Sequence, residues 1–168
     1  MSRQGFWFGA LVVGLSLPFH GPAWAEEEGG KPMGRNLSEM KLGVFPGLPT
    51  CATGAVQSGD PTKGPAIILA KGGKGCTVPW HWHTAAERLM MVAGTAVVDM
   101  KDGRPFTLKP GGFLALPGRH VHHFRCTSGP CTFYVDTDGA FDIHYVDAQG
   151  KEIPPEQALK AVKESVAK

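Results

Sequence analysis

From about residue 50 the chain is cut into short apolar or alternating runs by Gly, Pro and Asp, and this punctuation restricts the fold more than any other feature. Nine runs read as strands: 66–70, 77–83, 88–93, 95–100, 105–108, 112–117, 122–126, 132–137 and 141–146. Asp102-Gly103 suits a tight hairpin turn that needs positive φ, and "KPGG" (109–112) marks another turn. So many short strands in about 100 residues predict an all-β sandwich or barrel rather than a βαβ sheet. The tail (151–168) reads differently. Pro155 stands where a first helical residue tolerates proline, and Ala158, Leu159, Val162 and Val166 recur at helical spacing, so a short C-terminal helix is expected.

The chain has 168 residues, enough for one domain with one core. Its start follows another logic. Arg3, then the apolar run 6–17, then Pro18 and the small-x-small "AWA" read as a signal peptide cut after Ala25. The competing reading is a membrane anchor, but a span needs about 20 apolar residues and Pro18, His20 and Gly21 end this run early. No later run is long enough to span. The expected organisation is a signal peptide (1–25), a polar, glycine-rich flexible leader (26–45), a β domain (46–150) and the helical tail (151–168). Cleavage would remove Arg3 and no acid, taking the formal charge from +2 to +1. A balance so close to neutral argues against nucleic acid or an anionic membrane surface as partner and favours a small molecule. The expected location is periplasmic or secreted.

An exported chain meets oxidising conditions, which makes disulfides plausible for Cys51, Cys76, Cys126 and Cys131. Cys126 and Cys131 flank the turn signal "TSGP" and suit a bridged hairpin, which leaves Cys51 with Cys76. Free, buried thiols are the alternative.

Residues two apart on a strand share a face, so His81 and His83 project together while Trp80 and Trp82 point the other way. Glu87 follows a short break, "TAA", that allows its carboxylate to swing back toward the same point. Two imidazoles and a carboxylate suit a divalent cation. Beyond the strand 112–117, "RHVHHF" supplies His122 on one face, His123 on the other and His120 in the turn. Singly, each histidine is more simply a surface group. His81, His83, Glu87 and His122 together predict a metal site. By alternation Leu89, Met91 and Phe124 face the same interior and should line a mostly apolar pocket.

These residues carry a resemblance. Gly75, His81-x-His83, Glu87 and Gly94 match the first cupin motif at every fixed position. Gly111, Pro117 and His122 match the second motif, with Arg119 where that motif has glycine and Cys126 where it has asparagine. The resemblance covers residues 75–126 and implies a cupin-type jelly-roll β-barrel, a single-domain monocupin, with one metal held by His81, His83, Glu87 and His122. Softness does not choose among Fe, Mn, Ni, Co, Cu and Zn. Many cupins that this chain resembles are dioxygenases, so the resemblance implies a metal-dependent dioxygenase acting on a small organic molecule. A non-catalytic binding or sensing module, and a metal-dependent isomerase or lyase, stay open beside it. Trp80, Trp82, Arg88 and Met90 fall on the outward side of the ligand strands and are residue types enriched at interfaces, which predicts a homodimer through that sheet. Cover by the leader or the tail helix is the alternative.

Overall fold

A computed structural model describes residues 32–166 of the chain. Chain contacts divide it into two units, Met1–Gly34 and Arg35–Lys168, and the second holds every strand and helix among the described residues. The expected signal peptide and the first residues of the expected leader, 26–31, lie outside the described residues. From there, a 3-10 turn at Leu37–Glu39 precedes Gly43, whose backbone already pairs with Gly54.

Eleven strands follow: β1 (Ala52–Gly59), β2 (Ala66–Gly72), β3 (Thr77–Trp82), β4 (Glu87–Ala93), β5 (Ala96–Met100), β6 (Phe106–Leu108), β7 (Phe113–Leu116), β8 (His122–Cys126), β9 (Cys131–Thr137), β10 (His144–Val146) and β11 (Glu152–Ile153). They form two antiparallel sheets, ordered β1-β2-β9-β4-β7 and β11-β10-β3-β8-β5-β6. The tail helix α1 (Pro155–Val166) contacts β3 and β10 and buries Ala158. The two inner faces share one core, with Leu89, Met91, Leu114 and Val135 from the first sheet and Val78, Val98, Met100 and Phe124 from the second. The fold is an all-β jelly roll with a short C-terminal helix.

Two strands have no counterpart in the sequence reading, β1 and the two-residue β11. β1 is an edge strand built of small and polar residues, "ATGAVQSG", with little alternation to betray it. Gly54 is small for a packing reason. A Cβ there would come 2.9 Å from the Phe45 ring and 3.0 Å from the Leu69 carbonyl.

The decisive irregularity lies in β3. Val78 pairs with Phe124, yet His81 pairs with His122, so β3 holds one extra residue in between. Strict alternation from inward-facing Val78 would turn Trp80 and Trp82 into the core and His81 out. The bulge reverses that, and it lies between Val78 and His81, a stretch that holds Pro79, a residue with no N–H to give a ladder. Val78, His81 and His83 are all buried as a result.

The outward residues do not form one surface, which corrects the expected interface. Trp80 and Trp82 lie on the six-stranded sheet, whereas Arg88 and Met90 lie on β4 in the other. The break between His83 and Glu87 carries the chain from one sheet to the other, so the two pairs back onto opposite sides. Trp82 stacks flat on His144 (centroids 3.9 Å apart, 5° between planes), and the Arg119 guanidinium lies 4.8 Å from the centre of the same indole. Arg119 has φ +63°, so the turn keeps the left-handed geometry that glycine would adopt freely. For a residue with a Cβ this costs roughly 1–2 kcal/mol. The cation–π contact offsets about 0.5–1 kcal/mol of it. The Arg119 N–H donates to the His83 carbonyl at 2.7 Å. His123 faces outward as expected, against Trp80 and hydrogen-bonded to Asp99 at 3.1 Å.

Both disulfides are present, Cys51–Cys76 and Cys126–Cys131. They join chain positions 25 and 5 residues apart. On the chain-entropy model, loops of those lengths stabilise by about 3.5 and about 2 kcal/mol. Replacing Cys51 and Cys76 together by serine is therefore expected to cost more than replacing Cys126 and Cys131, as read by urea unfolding of the two double variants.

His144 lies between Glu152 (2.6 Å) and Asp142 (3.2 Å). Burial alone would lower its pKa, but these two carboxylates outweigh it and raise the value above 6.5. A raised folded-state pKa gives stability that is complete below the unfolded value and fades as pH climbs through the folded one. His144→Gln should remove that dependence: unfolding at pH 6 and pH 8 should show the parent losing stability relative to the variant over this interval.

Candidate metal centre

His81 is aimed inward by the bulge in β3, and His83 follows immediately after that strand. His122 opens β8, directly opposite His81 in the register. Glu87 opens β4 and reaches in from the other sheet. All four are at most 5% exposed. The imidazole centroids lie 4.2 Å (His81–His122), 4.8 Å (His81–His83) and 5.6 Å (His83–His122) apart. One ring nitrogen from each of the three lies within 4.8 Å of the others. The Glu87 carboxylate straddles two of them: Oε2 is 3.3 Å from His83 Nε2 and Oε1 is 3.4 Å from His122 Nε2.

The other ring nitrogens are all engaged. His81 Nδ1 donates to the Pro79 carbonyl at 2.6 Å and His122 Nδ1 to the His120 carbonyl at 2.9 Å. His83 Nδ1 donates to the Asp142 carbonyl. A carbonyl only accepts, so each bond fixes the proton on Nδ1 and leaves the Nε2 lone pair facing the common point. The Asp142 side chain is itself pinned, accepting from the Thr84 N–H at 2.7 Å and from His144.

The electrostatics follow from this packing. Burial holds the His81 pKa well below the ordinary value, and repulsion from His122 and His83 adds to the effect, so His81 is neutral. Burial alone would raise Glu87, but His83 and His122 outweigh it and bring its pKa down. The result is a buried carboxylate that faces imidazole Nε2 atoms, with no lysine or arginine ion-paired to it among the described residues. Such a charge is costly unless something positive compensates it. A divalent ion would supply that charge, and three Nε2 atoms and a carboxylate are donors that suit one. The residues present therefore fit a metal.

A cavity of about 80 Å³ opens against the cluster. Leu89 and Phe124 line it, with Phe133, Val135, Phe45 and Phe141. Met91 does not. It is buried in the core beyond the cavity, one inward position further along β4. Phe141 packs against His83 with ring centroids 4.9 Å apart. Asp142, Phe141 and Phe45 escaped the sequence reading. Asp142 acts through a main-chain carbonyl on a histidine 59 residues away, and every residue type has such a carbonyl.

Residues 68–136 match the cupin domain family model. No curated protein sequence matches the chain. Among solved structures, the polyketide cyclase RemF from Streptomyces resistomycificus superposes with a TM-score of 0.61 at 16% identity, over 77% of this chain and 99% of that one. An RmlC-like cupin protein from Ralstonia eutropha gives 0.57 at 16%, over 77% and 85%. A chain from the structures of the DMSP lyases RdDddP and RnDddQII gives 0.50 at 21%, over 57% of this chain and 53% of that one. This chain thus spans about half the length of that lyase. At such identities the likeness is one of fold. The matched segment holds all four convergent side chains and both sheets' central strands, and over these residues the chain carries a cupin domain.

Proposed function

We propose that this cupin is an exported metal-dependent enzyme acting on a small organic molecule, with dioxygenase-type oxidoreductase chemistry. The single observation that carries the reading is the convergence of three buried imidazoles, each presenting Nε2, beside the buried Glu87 carboxylate. His81, His83, Glu87 and His122 would hold one divalent ion. When bound, an ion such as Fe, Mn, Ni, Co or Cu supplies open positions for dioxygen and substrate, whereas Zn with four protein ligands tends to close the site.

The chain's own residues bear on the reaction class. Among the described residues lining the cavity, Lys71 is the one titratable side chain beyond the four of the centre. Strand alternation turns Lys71 to the outer face, away from Ile68, Ala70 and Gly72. Elimination or isomerisation without redox change would have to draw its acid or base from the centre itself, because the described walls offer none, and this weighs toward oxygen chemistry. The lyase or isomerase reading stands second, favoured by the fold shared with a polyketide cyclase and a DMSP lyase. A binding or sensing module would use the same four ligands without turnover. The two disulfides support an oxidising location, periplasmic or secreted, and the N-terminal pattern supports cleavage after Ala25.

We place a homodimer contact on the outer face of the five-stranded sheet. Phe113, Met90 and Tyr134 form one row of the register there, and Phe113 is 60% exposed. The adjoining Arg88–Asp136 ion pair gives this face charges of both signs, which a second copy can match about a two-fold axis. A dimeric mass in sedimentation, reduced to the monomer by Phe113→Lys, is expected.

His81→Ala, His83→Ala and His122→Ala should each lower metal affinity by at least about tenfold. His123→Ala should leave it unchanged. Elemental analysis after dialysis measures both, and equal loss in all four variants would contradict the assignment. Oxygen uptake by the iron-loaded protein with a small-metabolite extract is the expected outcome. Product formation without uptake would favour the lyase or isomerase reading.

A further inference from the structure

The cavity and the charge of the centre together define a ligand class, and this step rests on the metal-centre reading. The volume is about 80 Å³. An apolar cavity of about 150 Å³ accepts a benzene ring, so this one accepts a body of about three or four carbons. Its walls are fixed from two sides. Phe124 and Phe133, on β8 and β9, pack 4.8 Å apart. Phe141 rests on His83 and meets Phe45 edge-on at 6.3 Å. The segment that carries Phe45 is tied at both ends. Gly43 exchanges two hydrogen bonds with Gly54 (2.9 and 2.8 Å), the Tyr145 hydroxyl donates to the Gly47 carbonyl at 2.8 Å, and Cys51 is bonded to Cys76. A wall braced in this way does not widen freely to admit a longer molecule.

The charge count is as direct. Each imidazole donates its Nδ1 proton to a carbonyl, so each would meet the metal through Nε2 as a neutral ligand, and Glu87 is the one acidic side chain among the described residues lining the cavity. With a divalent ion the centre carries one net positive charge. The surrounding walls are Phe124, Phe133, Phe141, Leu89, Val78 and Val135, none of which can compensate it. A buried charge is tolerated only when paired. A cationic ligand would meet like charge. A dianion would bury a second, unpaired negative charge against phenylalanine. We infer that the site takes a short-chain monoanion, its oxygen-bearing anionic head toward the histidine cluster and an apolar body of about three or four carbons against Phe124, Phe133 and Phe141.

The test uses the full chain loaded with cobalt(II), its stoichiometry checked by elemental analysis. Acetate, butyrate, octanoate, succinate and n-butylammonium are titrated against the visible absorption of the cobalt. Butyrate should bind more tightly than acetate, by roughly fourfold per added methylene, and octanoate more weakly than butyrate. Succinate and butylammonium should leave the spectrum unchanged. Phe133→Ala should shift the preference toward the longer chain with cobalt stoichiometry intact. Full cobalt loading with affinities independent of chain length, or with succinate as tight as butyrate, would overturn the inference while sparing the metal centre. Failure to bind cobalt before any anion is added would overturn the metal-centre reading, and this inference with it.

Discussion

The site depends on three hydrogen bonds from imidazole Nδ1 to main-chain carbonyls. Without them each ring could turn, or protonate at either nitrogen, and the Nε2 atoms would have no reason to face one point. Two of the carbonyls, of Pro79 and His120, lie two residues before the histidine they hold. The fold supplies these locally: the bulge in β3 frees the first carbonyl, and the turn before β8 frees the second. The third, of Asp142, is delivered by the loop leading into β10. The loop is held in turn by Thr84 and His144, so the geometry of His83 rests on a contact between segments 58 residues apart.

Burial turns this geometry into chemistry. Glu87 has no lysine or arginine ion-paired to it among the described residues, and it cannot leave, because its strand is fixed between β7 and β9. A divalent cation would balance it. The apolar lining then limits what else enters. Apolar walls penalise every charge that the centre does not pair, so the protein selects a ligand by size and net charge without a dedicated recognition group. Two disulfides hold chain segments bordering the cavity. Cys76 lines it, and Cys126 ends the strand that begins with His122. At the second motif's asparagine position this chain therefore carries half of a covalent staple.

Much of this was legible in the sequence, for physical reasons that can be named. Period-two alternation exposes His81 and His83 as one face, and it separates His122 from His123, because both segments are regular from those residues onward. Short runs broken by Gly, Pro and Asp expose most of the strands. Legibility fails where a contact is not encoded by residue type. β1 is an edge strand that buries little, so its composition looks like a loop. The bulge between Val78 and His81 leaves no trace in a hydrophobicity pattern, although a proline inside an apparent ladder strand hints at one. Trp82 and Arg88 look like neighbours on one surface because they are six residues apart, yet the turn between them changes sheets. Met91 obeys alternation and is buried, but depth along β4 takes it past the cavity.

X-ray absorption spectroscopy at the edge of the bound metal tests the central claim most directly, because it counts ligands without reference to activity. The account predicts a coordination shell containing three imidazole nitrogens, identified by ring multiple scattering, with carboxylate oxygen beside them. A shell of oxygen atoms with at most one imidazole would contradict it.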